Sequence, residues 1–368
     1  MELSSKERFA RILNHQPVDR VGLFEVYWRE TVEKWVAEGR FARPEMVSDH
    51  FGLDVRRTGG EITPGDYAVV NLVADVDFGQ QVVEETETTR LLRDGNGAVL
   101  RWMKGGSGAP EHVDFAVKER GAWESLIKPK LTPDRRRINF EAYRKIRAQA
   151  HAQQRFFMWS GVNVFEQMHP VCGHEYMLMG MADDPGWIRD MVDTYSRLTL
   201  QLQEILFAEE GWPDGIWFYE DMGFKDRPFM SPAMYRELIQ PAHRRTCEFA
   251  HAHKLPVVMH SCGFVEPLLP GMIEAGIDAL QVIEVKAGMD LTRIYRNFGE
   301  RLSLIGGMDV RVLYSNDLRK VDAELESKIP IVKGHYGYVL HSDHSIPATV
   351  NYDTYRYFVK RGLELGTY

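Results

Sequence analysis

From about residue 137 to the C-terminus, short apolar runs alternate with amphipathic stretches of helical length, and this alternation constrains the fold more than any other feature of the chain. The runs read FFMWSG (156–161), GIWFYED (215–221), PVVMHSCG (256–263), DALQVI (278–283), LSLIGGMD (302–309) and GYVLH (337–341). Between and after them, helices are predicted over 139–153, 184–209, 231–253, 265–275, 290–298, 317–329 and 351–365. Strands that are apolar throughout, each separated from the next by a helix, belong to a parallel sheet covered on both faces. With VGLFEV (21–26) and a weaker strand near 69–73, the count approaches the eight of an α/β fold of the (β/α)8 TIM barrel type.

Two segments stand outside that pattern. Residues 4–16 form an opening helix, with Ser4 or Ser5 as its cap and Phe9, Ile12 and Leu13 on one face. Residues 80–105 alternate polar and apolar around Asp94-Gly95-Asn96-Gly97, a strong turn signal, and read as an antiparallel hairpin inserted into the barrel. No linker rich in Gly, Pro or Ser divides the chain, so residues 1–368 are expected to form a single domain.

Composition narrows the function. A net charge of −8 argues against a nucleic-acid surface, and no stretch approaches the apolar length that spans a membrane. The charged start MELSSKERFARIL is unlike a signal peptide, and three scattered cysteines make no disulfide framework, so a cytoplasmic protein is expected. The chain contains no GxGxxG, P-loop or GxSxG motif, which leaves dinucleotide, nucleotide and serine-hydrolase chemistry without support.

In a barrel, reactive groups gather where strands end. Here those ends carry Glu220-Asp221, His260-Ser261-Cys262, Gln281 with Glu284, Asp309, and His341-Ser342-Asp343-His344. His260 and Cys262 are two apart on a strand, so both side chains leave on one side and can share a cation such as Zn2+. A buried cysteine beside a structural histidine, or a cysteine nucleophile with its base, are the competing readings. A third ligand is expected from HSDHSIP, with His344 first and Asp343 second. The histidines and cysteine of MHPVCGH (168–174) are placed in a loop at the pocket rim, and His251 and His253 at a helix end. Trp159 and Tyr219 are candidates to line a wide cavity for a flat ligand, with Gln281 and His341 as polar strand ends beside it.

These residues carry a resemblance. HSCGFVEPLLPGMIEAGIDALQVIE, MDLTRIYRNFGERLSLIGGMD, EDMGFKDRPFMSPAMYRELIQP and GHYGYVLHSDHSIPATVNYDTYRYF together resemble the uroporphyrinogen decarboxylase superfamily, and the likeness runs from the opening helix to the C-terminus. It implies the same (β/α)8 barrel. The decarboxylases of that superfamily carry an arginine-rich N-terminal segment that holds the substrate's carboxylates; here FEVYWRETVEKW stands in its place, with Arg29 alone as a remnant. The other branch comprises zinc-dependent methyltransferases that work with corrinoid proteins and whose motif is His-x-Cys followed by a distant Cys. His260 and Cys262 match its first half, and no cysteine follows residue 262. The resemblance therefore implies Zn2+, a corrinoid (cobalamin) on a partner protein, and a small methylated substrate or thiol, with Glu220, Asp221 and Asp309 positioning or protonating that substrate. It leaves a homodimer open, and a decarboxylase acting on a tetrapyrrole or smaller acid remains the alternative.

Overall fold

The computed structural model describes residues 2–63, 69–104 and 110–368. Eight parallel strands make one sheet: β1 (Gly22–Leu23), β2 (Val55–Arg57), β3 (Phe156–Val162), β4 (Gly215–Tyr219), β5 (Val257–Ser261), β6 (Ala279–Val282), β7 (Ser303–Gly306) and β8 (Tyr338–Leu340). From β2 to β8 each pairs with the next in sequence order, and β8 returns to β1 through Gly22↔Val339 and Leu23↔Leu340. Between β1 and β2 the ring closes on a backbone bond from the Asp54 N–H to the Leu23 carbonyl, 2.8 Å. The buried Asp54 carboxylate reinforces the seam by accepting from the Leu23 N–H and from both Arg8 and Arg20. This is a (β/α)8 barrel. The second strand, however, is Val55–Arg57 and not the predicted 69–73, where Val70 makes only an isolated bridge to Ile138. A short strand reading DVRRTG carries too few apolar residues to announce itself.

Side-chain alternation along these strands creates the interior. Val55, Met158, Trp217, Val258, Ala279, Ile305 and Val339 point inward and pack with Phe9, Ile12 and Leu13 of the opening helix (Ser5–Leu13), which plugs the N-terminal end of the barrel. Ser4 caps that helix, as read from the sequence. Two residues further along four of these strands, the position of the same parity is polar: Arg57, Tyr219, His260 and Gln281, with His341 just past the end of β8. The apolar floor and the polar layer above it follow directly from period-2 alternation.

The inserted segment is larger than a hairpin. Gln81–Glu85, Thr89–Arg93, Val99–Met103 and Glu111–Asp114 form a separate four-stranded antiparallel sheet, and residue 105 of the predicted insertion lies outside the described residues. The Asp94–Gly97 turn forms as expected, with Gly97 at φ 75° and the Asp94 carboxylate accepting from the Asn96 and Ala98 N–H groups. The predicted loop at 168–174 is instead part of helix Val164–Asp183, which is interrupted at Gly173, three residues after Pro170. Among the described residues, no helix is long and apolar enough to cross a membrane.

Candidate active site

His260 lies on β5 and Cys262 one residue beyond it, and their spacing brings Sγ within 3.2 Å of Nε2. Strand β4 runs alongside with Tyr219 opposite His260, so Asp221 arrives level with Cys262. Asp221 Oδ1 sits 3.2 Å from His260 Nε2 and accepts the Cys262 N–H at 2.8 Å. One ligand atom from each of Asp221, His260 and Cys262 lies within 4.8 Å of the other two, the only such group of His, Cys, Asp and Glu side chains among the described residues.

Gly263 permits this approach: it adopts φ 76°, and a Cβ there would fall 2.3 Å from the Gly223 carbonyl carbon. The electrostatics of the trio ask for positive charge. Burial works against the His260 imidazolium, but Cys262 and Asp221 outweigh it and hold its pKa well above the usual value. Burial pushes the Cys262 thiol up to about 11, with Asp221 adding to the rise and His260 opposing it. A proton on His260 serves the cluster, and a cation in its place releases that proton.

The trio opens into a cavity of about 920 Å³. Trp159, Tyr219, Gln281, His341 and His344 all line it, as do Asp221, His260 and Cys262. Behind His260, Nδ1 meets Gln281 Oε1, and Gln281 Nε2 lies 2.7 Å from His341 Nε2. His344 shares the cavity, with its ring centroid 6.2 Å from that of Trp28, but stands outside the trio.

The other expected groups are placed elsewhere. Glu220 is fully buried: it accepts from the Phe165 and Glu166 N–H groups at the start of helix Val164–Asp183 and lies 2.6 Å from His243 Nε2. It is a helix anchor that does not line the cavity. Asp309 accepts from the Arg311 N–H as the cap of helix Val310–Tyr314 and pairs with the Arg311 guanidinium at 2.7 Å. Asp343, the second choice for a ligand, spends its oxygens on the Val285 and Val310 N–H groups, both at 2.8 Å. Of the MHPVCGH histidines, His169 pairs with the cavity-lining Glu166 at 3.1 Å and stacks on His174, and neither ring lines the cavity itself. His251 pairs with Asp278 at 2.8 Å, a structural role.

Burial pushes the Asp343 carboxyl up to about 6. A carboxyl held protonated to a higher pH in the fold than in the unfolded chain contributes stability at low pH, and that contribution disappears as pH rises through its folded pKa. Relative to an always-neutral Asp343→Asn protein, the wild type should therefore lose roughly 2 kcal/mol of stability between pH 4 and pH 7. Urea unfolding at both pH values checks this, and a difference independent of pH would refute the assignment.

Sequence reasoning missed Arg57. Its guanidinium is 1% exposed, donates to the Tyr219 hydroxyl and to the Gly60 carbonyl, and packs over Phe24 and Trp217 with its carbon 4.7 and 4.8 Å from the ring centroids. Among the described residues its Nε and the Trp159 indole nitrogen are buried without hydrogen-bond partners, and both residues line the cavity. Because β2 was not predicted, nothing marked Arg57 as a strand end. The inserted sheet lies outside the barrel, and Asp94 and Asn96 at its turn form part of the cavity wall.

Comparison with known proteins agrees with the fold. The family model for uroporphyrinogen decarboxylase matches residues 139–364. No curated protein matches the chain. Among solved structures, a methyltransferase from Methanosarcina mazei is similar with a TM-score of 0.65 at 16% identity, covering 99% of each chain, a likeness of fold.

Proposed function

Since the chain belongs to the uroporphyrinogen decarboxylase family, we propose that it is a zinc-dependent methyltransferase, moving a methyl group between a small methylated substrate or thiol and a corrinoid protein. The observation that carries this reading is the Asp221–His260–Cys262 trio at the cavity floor. A thiolate, an imidazole and a carboxylate are a donor set suited to Zn2+, and three protein ligands leave a fourth position for substrate. Zinc bound there lowers the pKa of a thiol or hydroxyl, making the one a better nucleophile and the other a better leaving group.

The protein's own residues supply the rest. Asp221, His260 and Cys262 hold the cation, and Trp28, Trp159 and Tyr219 provide apolar wall around it. The methyl group departs without the bonding electron pair, which stays on the oxygen, nitrogen or sulfur that carried it; in the opposite direction a thiolate supplies the pair. Arg57 donates to the Tyr219 hydroxyl and so helps hold that wall residue in place. The M. mazei neighbour is called a methyltransferase, which favours this branch of the family. So does the cavity's single arginine among the described residues, since a polycarboxylate tetrapyrrole needs several guanidiniums to offset its charge.

The test is direct. The purified protein should carry about one zinc ion per chain, and adding a thiol and methylcobalamin should change the cobalamin spectrum as the methyl leaves. A zinc-free protein that does not alter the spectrum with thiols or methylated donors, but converts uroporphyrinogen to coproporphyrinogen, would establish the decarboxylase alternative.

A further inference from the structure

Glu25 follows β1 and is fully buried, yet among the described residues no lysine or arginine pairs with it. A lone buried carboxylate is costly, and nothing in the chemistry above uses it. Its oxygens accept from the Val26 N–H at 3.0 Å and the Ser342 N–H at 3.2 Å, and the Ser342 hydroxyl, 2.9 Å away, has one hydrogen to divide between Glu25 and the His344 carbonyl. Its remaining neighbour is His341, whose Nδ1 lies 2.7 Å from Glu25 Oε1, off the line of an ideal hydrogen bond.

A carboxylate only accepts. Two lone pairs cannot face each other at that distance, so His341 Nδ1 carries the hydrogen. In a neutral imidazole Nε2 is then the acceptor, and Gln281 must present its NH2 group to it across their 2.7 Å contact. That choice turns Gln281 Oε1 toward His260 Nδ1, which therefore donates. With Nδ1 protonated, His260 Nε2 is the nitrogen free to bind a cation, and it is the one 3.2 Å from both Cys262 Sγ and Asp221 Oδ1. The relay crosses the barrel through residues at the ends of β1, β8 and β6 to reach β5.

We propose that Glu25, by its close charge contact with His341 Nδ1, sets the direction of the His341–Gln281–His260 hydrogen bonds and so fixes the tautomer and orientation of His260, making Glu25, His341 and Gln281 positioning residues for the cation site. This rests on reading Asp221, His260 and Cys262 as that site. The polarity is dictated from the far end, because Glu25 is the one member that cannot change from acceptor to donor while ionised.

Zinc affinity, measured by competition with a chromophoric chelator, tests the relay without reference to turnover. Gln281→Leu, which offers neither donor nor acceptor, should weaken zinc binding roughly 10–100-fold, the usual effect of removing a ligand's outer partner. Gln281→Glu, which restores an acceptor toward His260, should recover a large part of that loss. Glu25→Gln should weaken binding as well, although it touches no ligand. Nitrogen NMR of the histidines in the wild-type zinc protein provides a readout independent of variant folding: His341 should show a protonated Nδ1 and an unprotonated Nε2, and His260 a protonated Nδ1. The opposite His341 tautomer, or Gln281→Leu binding zinc like wild type, would overturn the relay. Loss of zinc in Cys262→Ala separates that outcome from failure of the site itself, because that variant reports on the ligands alone.

Discussion

Replacing Cys262 by Ala is expected to strip the protein of zinc and of methyl transfer while leaving it folded. Cys262 supplies the only thiol in the trio, and with it gone His260 and Asp221 offer two protein donors, one short of an open zinc site. The loss of affinity should exceed the roughly 10–100-fold that follows removal of an outer hydrogen bond to a ligand. Asp221→Ala should have a comparable effect and His344→Ala a much smaller one, because His344 shares the cavity but stands outside the trio. Metal analysis after dialysis, with circular dichroism as the folding control, gives the answer. A Cys262→Ala protein with full zinc and full turnover would return the cysteine to the role of a small buried apolar side chain.

Glu220→Ala should do the reverse, with a large loss of stability and little change in zinc per folded molecule. The carboxylate is fully buried, satisfies two N–H groups at a helix start where the dipole favours negative charge, and pairs with His243, whose other nitrogen meets the Tyr235 hydroxyl at 3.0 Å. Removing one partner from such a cluster leaves buried polar groups unpaired and costs about 3–5 kcal/mol. Urea unfolding of wild type and variant measures it. Unchanged stability with abolished turnover would instead place Glu220 in the chemistry.

The two residues of the Glu220-Asp221 pair show how far the sequence could be read. Both sit at one strand end, and the order of residues alone does not say which faces the cavity. The register does: Tyr219 lies opposite His260, and Asp221 falls beside Cys262. Adjacent strands in a barrel end at similar heights, so the third member was to be sought on the strand next to β5. HSDHSIP, on β8, lies across the ring, and there Asp343 is spent on backbone N–H groups. The long apolar strands and the helices after residue 137 were legible because burial on both faces leaves a continuous hydrophobic run. Strand β2 was not, since three residues with two arginines carry no periodic signal, and with it Arg57 stayed hidden. The fourth strand of the inserted sheet, Glu111–Asp114, was missed for a similar reason: four residues, mostly exposed, with no apolar alternation.

That inserted sheet reaches the cavity only through the tip of its second turn, at Asp94 and Asn96. The proposed cation donors stand on or just past strands of the closed ring, His260 on β5 and Asp221 and Cys262 beyond the ends of β4 and β5, where shifting one residue would invert a whole register. The turn is held differently, by the buried Asn96 accepting from the Ala74 N–H at 2.9 Å and the Gly95 carbonyl accepting from the Asp75 N–H at 3.2 Å. Under the proposed function, the parts that would set reactivity and the part that would meet the far end of the substrate are thereby mounted on separate supports, the ring for the one and a hairpin tip for the other.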